Sequence, residues 1–286
     1  MTVSRRTLLA GAALLASTRP SHSVIVLDST WKAERGFRAH MALASQPQFA
    51  SVIALSNDDG KIWGQASGTW LGNVDGNAVI LTAAHVFDRG GSADDYVYRA
   101  PDGEAMQGTD IVFHPLYTWS NALRTGYDFA IVTLDGPIED AGPPPALYGG
   151  AAENGKRITM VGFGSRGIGS VGQKPEYYTA FGKAAAENTV DEVMNAVRPP
   201  PPDADAGNWL GVTLRREGQG AERLDGILGS GDSGGSAWMR TANGWAIVGV
   251  AANGNGDTYG SQSWFARISG VRDWLSSRVP GLRFVN

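Results

Sequence analysis

The residues of this sequence best suited to chemistry lie in Gly231-Asp232-Ser233-Gly234-Gly235, a serine set among three glycines. Glycine lets a backbone turn sharply and bring N–H groups close to a reacting carbonyl, which an oxyanion-stabilising loop requires. A serine hydroxyl becomes a useful nucleophile only when a neighbouring base takes its proton. The chain has four histidines, His22, His40, His85 and His114, and none follows Ser233. A histidine base must therefore precede the serine. His22 lies in a leader-like N-terminus and His40 in an irregular stretch. His114 sits in Phe113-His114-Pro115, where a loop or strand-end histidine is the plain expectation. His85 closes Leu81-Thr82-Ala83-Ala84-His85, where an apolar strand meets small residues and then a turn.

An acid must orient such a histidine and stabilise its imidazolium, and it should be shielded from water. Asp88, Asp94, Asp102, Asp110 and Asp135 all lie between His85 and Ser233. Most fall in glycine-rich or charged stretches, where a carboxylate is ordinarily a solvated turn residue. Asp128 instead opens the apolar run Asp128-Phe129-Ala130-Ile131-Val132-Thr133-Leu134. A carboxylate at the mouth of a buried strand needs a partner, and an imidazole N–H supplies one. A lone histidine after an apolar strand is more often structural, but the company of Asp128 and Ser233 reverses that reading. The serine segment also satisfies G-x-S-x-G, the nucleophile elbow of the α/β-hydrolases. In those enzymes the histidine follows the serine, so counting histidines excludes them.

These segments, Leu-Thr-Ala-Ala-His, Asp-Phe-Ala-Ile-Val-x-Leu and Gly-Asp-Ser-Gly-Gly, resemble the three signatures of the trypsin/chymotrypsin family, in the family's order. Ser67-Gly68-Thr69, Gly162-Phe163-Gly164 and Trp264-Phe265-Ala266-Arg267-Ile268 followed by Trp274 are weaker matches of the same kind. The likeness runs from about residue 49 to residue 275. It implies an all-β fold of two six-stranded antiparallel barrels with a short C-terminal helix. His85 and Asp128 would come from the first barrel and Ser233 from the second. It implies a serine endopeptidase with a His85–Asp128–Ser233 triad, and an oxyanion hole formed by the N–H groups of Gly231 and Ser233. No metal or cofactor is needed. A catalytically silent binding module on the same fold is the alternative, and such relatives usually lose a triad residue. None is lost here.

The elements that must position these residues are legible as short strands and turns. Hydrophobic residues make up 42% and charged residues 18% of the 286, a globular composition rich in glycine. Ser51-Val52-Ile53-Ala54-Leu55, residues 61–71 and Ala78-Val79-Ile80-Leu81-Thr82 read as strands separated by Asn/Asp/Gly turns. Residues 157–162 and 244–251 repeat the texture, and Val271-Arg272-Asp273-Trp274-Leu275 reads as the start of a helix. Pro199-Pro200-Pro201-Pro202 cannot sit in a central strand and marks a surface loop. The expected division is residues 49–150 for the first barrel and 151–286 for the second barrel and helix. Residues 24–48 show no sustained period and read as an arm or short propeptide lying outside the core.

Residues 1–23 have the form of an export signal. Arg5-Arg6 opens a basic region, Leu8 to Ala16 forms a short apolar stretch, and Ser21 and Ser23 are spaced for cleavage before Val24. The apolar stretch falls short of the ~20 residues a membrane-spanning helix needs. Removing residues 1–23 leaves 21 basic against 28 acidic residues, a net charge of −7. That charge argues against nucleic acid as a partner. Absence of cysteine excludes disulfides and thiolate metal sites. The expected protein is a secreted or periplasmic monomer that acts on polypeptides, with no membrane association once mature.

The resemblance also bears on specificity and activation. It puts Ile227 at the base of the primary pocket, where trypsin-like enzymes carry Asp. Gly254 matches a wall glycine, and Ser263 stands where another glycine is usual. A preference for small or medium apolar residues follows, unless a loop shift brings Asp225 into the pocket. The family serine that supports the triad aspartate is replaced by Ala252. Ile-Val-Gly-Gly, the usual start of zymogen-activated members, is absent. A new N-terminus pairing with Asp232 would then arise after Arg35 or Arg38, since a start at Val24 leaves a longer arm. An internal arginine is the other candidate partner.

Overall fold

The computed structural model describes residues 24–87, 89–118, 126–177, 182–194 and 208–286. The export segment with His22, Asp88 and the proline run 199–202 lie outside the described residues. The chain begins with β1 (Ile25–Val26) and two short helices, α1 (Asp28–Ala33) and α2 (Arg38–Ala44). Six strands follow: β2 (Val52–Ser56), β3 (Ala66–Val74), β4 (Asn77–Thr82), β5 (Val97–Arg99), β6 (Ala105–Phe113) and β7 (Ala130–Leu134). They close into a barrel in the order β2-β3-β4-β7-β6-β5, with every pairing antiparallel.

Strand periodicity explains how this barrel fills itself and still binds its neighbour. Alternate residues of a strand face opposite sides of the sheet. Ile53, Leu55, Ile80, Val132 and Leu134 pack together in one buried cluster. Their neighbours Val52, Val79, Leu81 and Ile131 join a second cluster with Leu147, Val161, Trp238 and Val250 from the C-terminal half. Both faces of β4 and β7 are thus buried, which is why these strands read as nearly continuous apolar runs.

The second half contains β8 (Ala146–Tyr148), β9 (Arg157–Gly162), β10 (Gly167–Ile168), β11 (Gly172–Gln173), β12 (Ala184–Thr189), β13 (Glu192–Met194) and β14 (Trp209–Thr213). It continues with β15 (Gly226–Ile227), β16 (Ser236–Thr241), β17 (Gly244–Gly254), β18 (Gln262–Arg267), helix α3 (Arg272–Arg278) and β19 (Phe284–Val285). Nine of these strands form one sheet along the path β12-β9-β16-β17-β18-β14-β13, with β8 paired to β17 and β19 paired to β8. The ends are drawn together by Asn188, which is fully buried in β12. Its Nδ2 donates to Thr213 O at 3.1 Å and to Gly226 O at 2.9 Å. The all-β, double-barrel expectation is met by a closed barrel, a curled half-barrel sheet and a short C-terminal helix. No helix among the described residues is long and apolar enough to cross a membrane.

The reading of residues 24–48 as lying outside the core does not hold. Val24, Ile25, Val26 and Leu27 are all buried, and β1 lies between β10 (parallel) and β15 (antiparallel). A strand of two residues is too short to display a period, so nothing local distinguished it from an arm. Helix α2 packs against β12 and buries His40, Leu43 and Ala44.

His40 is fully buried, and burial, followed by the nearby charge of Arg223 and Arg166, depresses its pKa to about 4. The folded protein thus keeps it neutral while the unfolded chain protonates it below the ordinary value of 6.5. Stability present above pH 6.5 is lost as pH falls toward 4, by about 3 kcal/mol in total. The expectation for His40→Leu is a flatter denaturant-unfolding profile between pH 7.5 and 4.5. Parallel profiles for the two proteins would contradict it.

Candidate active site

The ladder between β4 and β7 brings the histidine and the acid together. Thr82, the last residue of β4, pairs with Ala130, the first of β7. In an antiparallel pair, residues just after one strand and just before the other share one end of the barrel. His85, in the tight turn following β4, and Asp128, two residues before β7, therefore meet there. Asp128 is fully buried; its Oδ1 accepts the backbone N–H of His85 at 2.9 Å, and its Oδ2 lies 2.6 Å from His85 Nδ1. The carboxylate thus fixes both the position of the histidine backbone and the orientation of its ring. Ala252, where the sequence resemblance expects a supporting serine, has no hydroxyl to offer and lines the cavity beside His85.

Ser233 comes from the loop between β15 and β16, and its Oγ lies 2.7 Å from His85 Nε2. The structure thus joins all three residues singled out from the sequence. Burial on its own would lower the pKa of His85, but the charge of Asp128 and its hydrogen bond outweigh this and raise it above 6.5. With Nδ1 donating to Asp128, the neutral ring presents the lone pair of Nε2 to the serine hydroxyl. That arrangement is suited to withdrawing a proton from Ser233.

The carbonyls around the serine are held so that two N–H groups stay open. Ser165 N–H donates to Ser230 O at 2.5 Å, and Gly235 N–H donates to Asp232 O at 2.8 Å. A trans peptide points its N–H opposite its C=O, so these bonds turn the N–H groups of Gly231 and Ser233 the other way. Neither of them donates to a protein acceptor among the described residues. Gly231 and Gly234 both take left-handed φ values, 91° and 82°, as the glycine-rich motif led one to expect.

Ser67 in β3 anchors this loop to the first barrel. Its N–H donates to Ser233 O at 2.8 Å and its Oγ donates to Gly231 O at 3.0 Å. The same Oγ accepts Phe163 N–H at 3.0 Å, and Thr82 Oγ1 donates to Ser67 O at 2.8 Å. Two residues along β3, Thr69 Oγ1 donates to Ser236 Oγ. Ser67 and Thr69 were noticed only as part of a motif; nothing local in the sequence revealed that they bind the serine loop.

Asp232, beside the serine, is buried and turned away from it. Its Oδ1 accepts Gly164 N–H at 2.9 Å, and its Oδ2 accepts Gly229 N–H at 2.8 Å and Val24 N–H at 3.2 Å. Gly164 must be glycine, since a Cβ there would sit 2.3 Å from Asp232 N and 2.6 Å from Ser230 O. Of the open candidates for reaching Asp232, the N–H in place is that of Val24, not of Gly36 or Ala39. Gly36 follows α1 and Ala39 lies within α2, because the segment between β1 and β2 takes up its length as helix. Arg166 is near enough to Asp232 to feel its charge but gives its Nη2 to Gly182 O.

A cavity of about 430 Å³ opens beside the serine, lined by His85, Ser233, Leu228, Gly254 and Asp257 among others. Of the three residues expected to shape the pocket, only Gly254 lines it. Ile227 is fully buried and pairs with Ile25, so it joins the core under the wall. Ser263, also fully buried, accepts Leu228 N–H on its Oγ at 3.1 Å from behind. Asp225 pairs with Arg157 at 2.7 Å and stays out of the cavity lining. Leu228 forms the apolar wall instead. Asp257, from a turn, and Gln173, from the two-residue strand β11, also line the cavity and were not foreseen, since neither segment carries a site signal in its sequence.

Comparison with known families matches residues 66–250 to the trypsin-like peptidase domain. The matched span runs from the start of β3 through most of β17 and contains His85, Asp128 and Ser233. A comparison with curated proteins found no match.

Ser67→Ala leaves Phe163 N–H and Gly231 O without their partner in a nearly dry environment, at a cost of about 2 kcal/mol. Denaturant unfolding should show that loss at unchanged slope. A loss below about 0.5 kcal/mol would mean that water or a shifted loop replaces the hydroxyl.

Proposed function

The chain belongs to the trypsin-like peptidase family, and on that footing we propose that it is a serine endopeptidase that cleaves polypeptides through an acyl-enzyme. Ser233 Oγ attacks the carbonyl carbon while His85 Nε2 takes its proton. His85 then returns a proton to the departing amine, and water repeats the sequence to release the acid. Asp128 keeps Nδ1 protonated and stabilises the imidazolium. The Gly231 and Ser233 N–H groups receive the charge that develops on the carbonyl oxygen, each donor supplying about 3 kcal/mol of barrier reduction. The observation that carries this reading is the continuous contact from Asp128 Oδ2 through the His85 ring to Ser233 Oγ, at 2.6 and 2.7 Å.

Substrate choice follows from the cavity wall. Leu228 and the closed-off Ser263 favour a small or medium apolar side chain at the residue before the cleaved bond. Export supports activation in the same scheme. Removal of residues 1–23 would turn the Val24 amide beside Asp232 into an ammonium group, and a buried carboxylate binds a charged donor more strongly than a neutral one. The mature protein then acts as a monomer outside the cytoplasm, on polypeptide and not on nucleic acid or membrane.

Ser233→Ala should abolish peptide hydrolysis and labelling by a serine-reactive phosphonate, with circular dichroism and unfolding midpoint preserved. Undiminished peptidase activity in that variant would sink the assignment.

The pH dependence supplies a second check. Because Asp128 holds His85 above its ordinary pKa, kcat/KM should rise with pH along a limb centred above 6.5. Asp128→Asn removes the raising influence and leaves burial, so the limb should move to lower pH while kcat falls about 10⁴-fold. A limb that stays in place would show that another group titrates.

A further inference from the structure

Asp257 has no role in the chemistry described above, yet its carboxylate lines the same cavity as His85 and Ser233. It is held firmly. Its Oδ2 accepts the backbone N–H of Gln173 at 3.0 Å and faces Gln173 Nε2 at 3.4 Å. Gln173 is itself fixed, because its Oε1 accepts Ser230 N–H at 2.9 Å. The carboxylate lies flat on Gly172, where a Cβ would fall 2.5 Å from its carbon and 2.6 Å from each oxygen. Only the missing side chain of Gly172 leaves room for it. The turn that carries Asp257 is also pinned: Asn255 N–H donates to Gln262 O, Thr258 N–H to Ser261 Oγ, and Tyr259 N–H to Gly169 O.

Several acids elsewhere in the protein have cationic partners. Asp191 meets Arg215, Glu34 meets Arg223, and Glu187 meets Arg157. Asp257 meets no cation among the described residues. A fixed carboxylate that a bound chain will partly dry favours an incoming cation and penalises an incoming anion.

The lie of the substrate follows from β17. β16 pairs with β17 only as far as Ser236 and Val250, and Ala251 exchanges bonds with Gly234 and Gly235. From Asn253 to Gly254 the strand pairs with β18 on one side, while its other edge carries no ladder partner among the described residues and borders the cavity. An extended peptide added to that edge runs from Ser233 toward the Asp257 turn.

We propose that Asp257 is a specificity determinant that selects a lysine or arginine side chain on the acyl side of the cleaved bond. It complements the apolar choice made at Leu228 and rests on the peptidase reading given above.

The test uses the full mature chain and fluorogenic peptides with leucine directly before the cleaved bond and lysine, arginine, norleucine or glutamate at each of the three positions preceding that leucine. Rates are expressed per phosphonate-titrated active site. The wild type should prefer lysine or arginine to norleucine by about tenfold in kcat/KM at one position, with glutamate worst there. Asp257→Asn, which keeps an oxygen for Gln173 N–H, should bring that ratio near one, and Asp257→Lys should invert it toward glutamate. A flat profile in the wild type, or a basic preference that survives Asp257→Asn, overturns this inference and leaves the peptidase reading intact. A wild type that neither reacts with the phosphonate nor cleaves any peptide removes both.

Discussion

A single buried carboxylate organises the loop that carries Ser233 in the candidate site. Asp232 accepts three backbone N–H groups, from Val24, Gly164 and Gly229, which come from segments far apart in the chain. A buried carboxylate without such donors would be prohibitively costly, so the three segments must close around it. Because Asp232 and Ser233 are adjacent, turning the acid inward turns the serine outward. The Gly231 and Ser233 N–H groups stay open because the carbonyls of Ser230 and Asp232 are held by the N–H groups of Ser165 and Gly235. The carboxylate fixes the loop, and these bonds orient its peptides.

The first barrel acts as the fixed wall against which that loop is set. Ser67 reaches both Ser233 O and Gly231 O, while Thr69 ties β3 to Ser236. His85 and Asp128 sit at the end of β4 and β7, strands buried on both faces and therefore unable to shift independently. The short contacts from Asp128 to Ser233 thus span two half-proteins without relying on a flexible element. Rigid placement of this kind is what a positioned acid–base pair requires.

The segment from Val24 to Leu27 illustrates where local reading stops. Its four residues are as apolar as any strand, but a pairing of two residues gives no period to detect. Its meaning lies in Asp232, more than two hundred positions away. The helices α1 and α2 likewise consume chain length, so the count of residues before β2 does not tell which backbone N–H reaches Asp232. The pocket shows the same limit. Ile227 and Ser263 align with pocket positions by motif, yet the backbone turns both inward and leaves the wall to Leu228.

Taken alone, the sequence singled out the three residues that the fold brings together. The glycine-flanked serine, a histidine after one buried strand, an aspartate before another and no later histidine leave a single order. It also determined the all-β character, because short apolar runs between turn residues admit few alternatives. Tertiary structure decided everything set by contacts between distant segments: the partner of Asp232, the tethering of the serine loop by Ser67, and the placing of Asp257 in the cavity. Each depends on which backbone groups meet across the two halves, and no local pattern of residues encodes that.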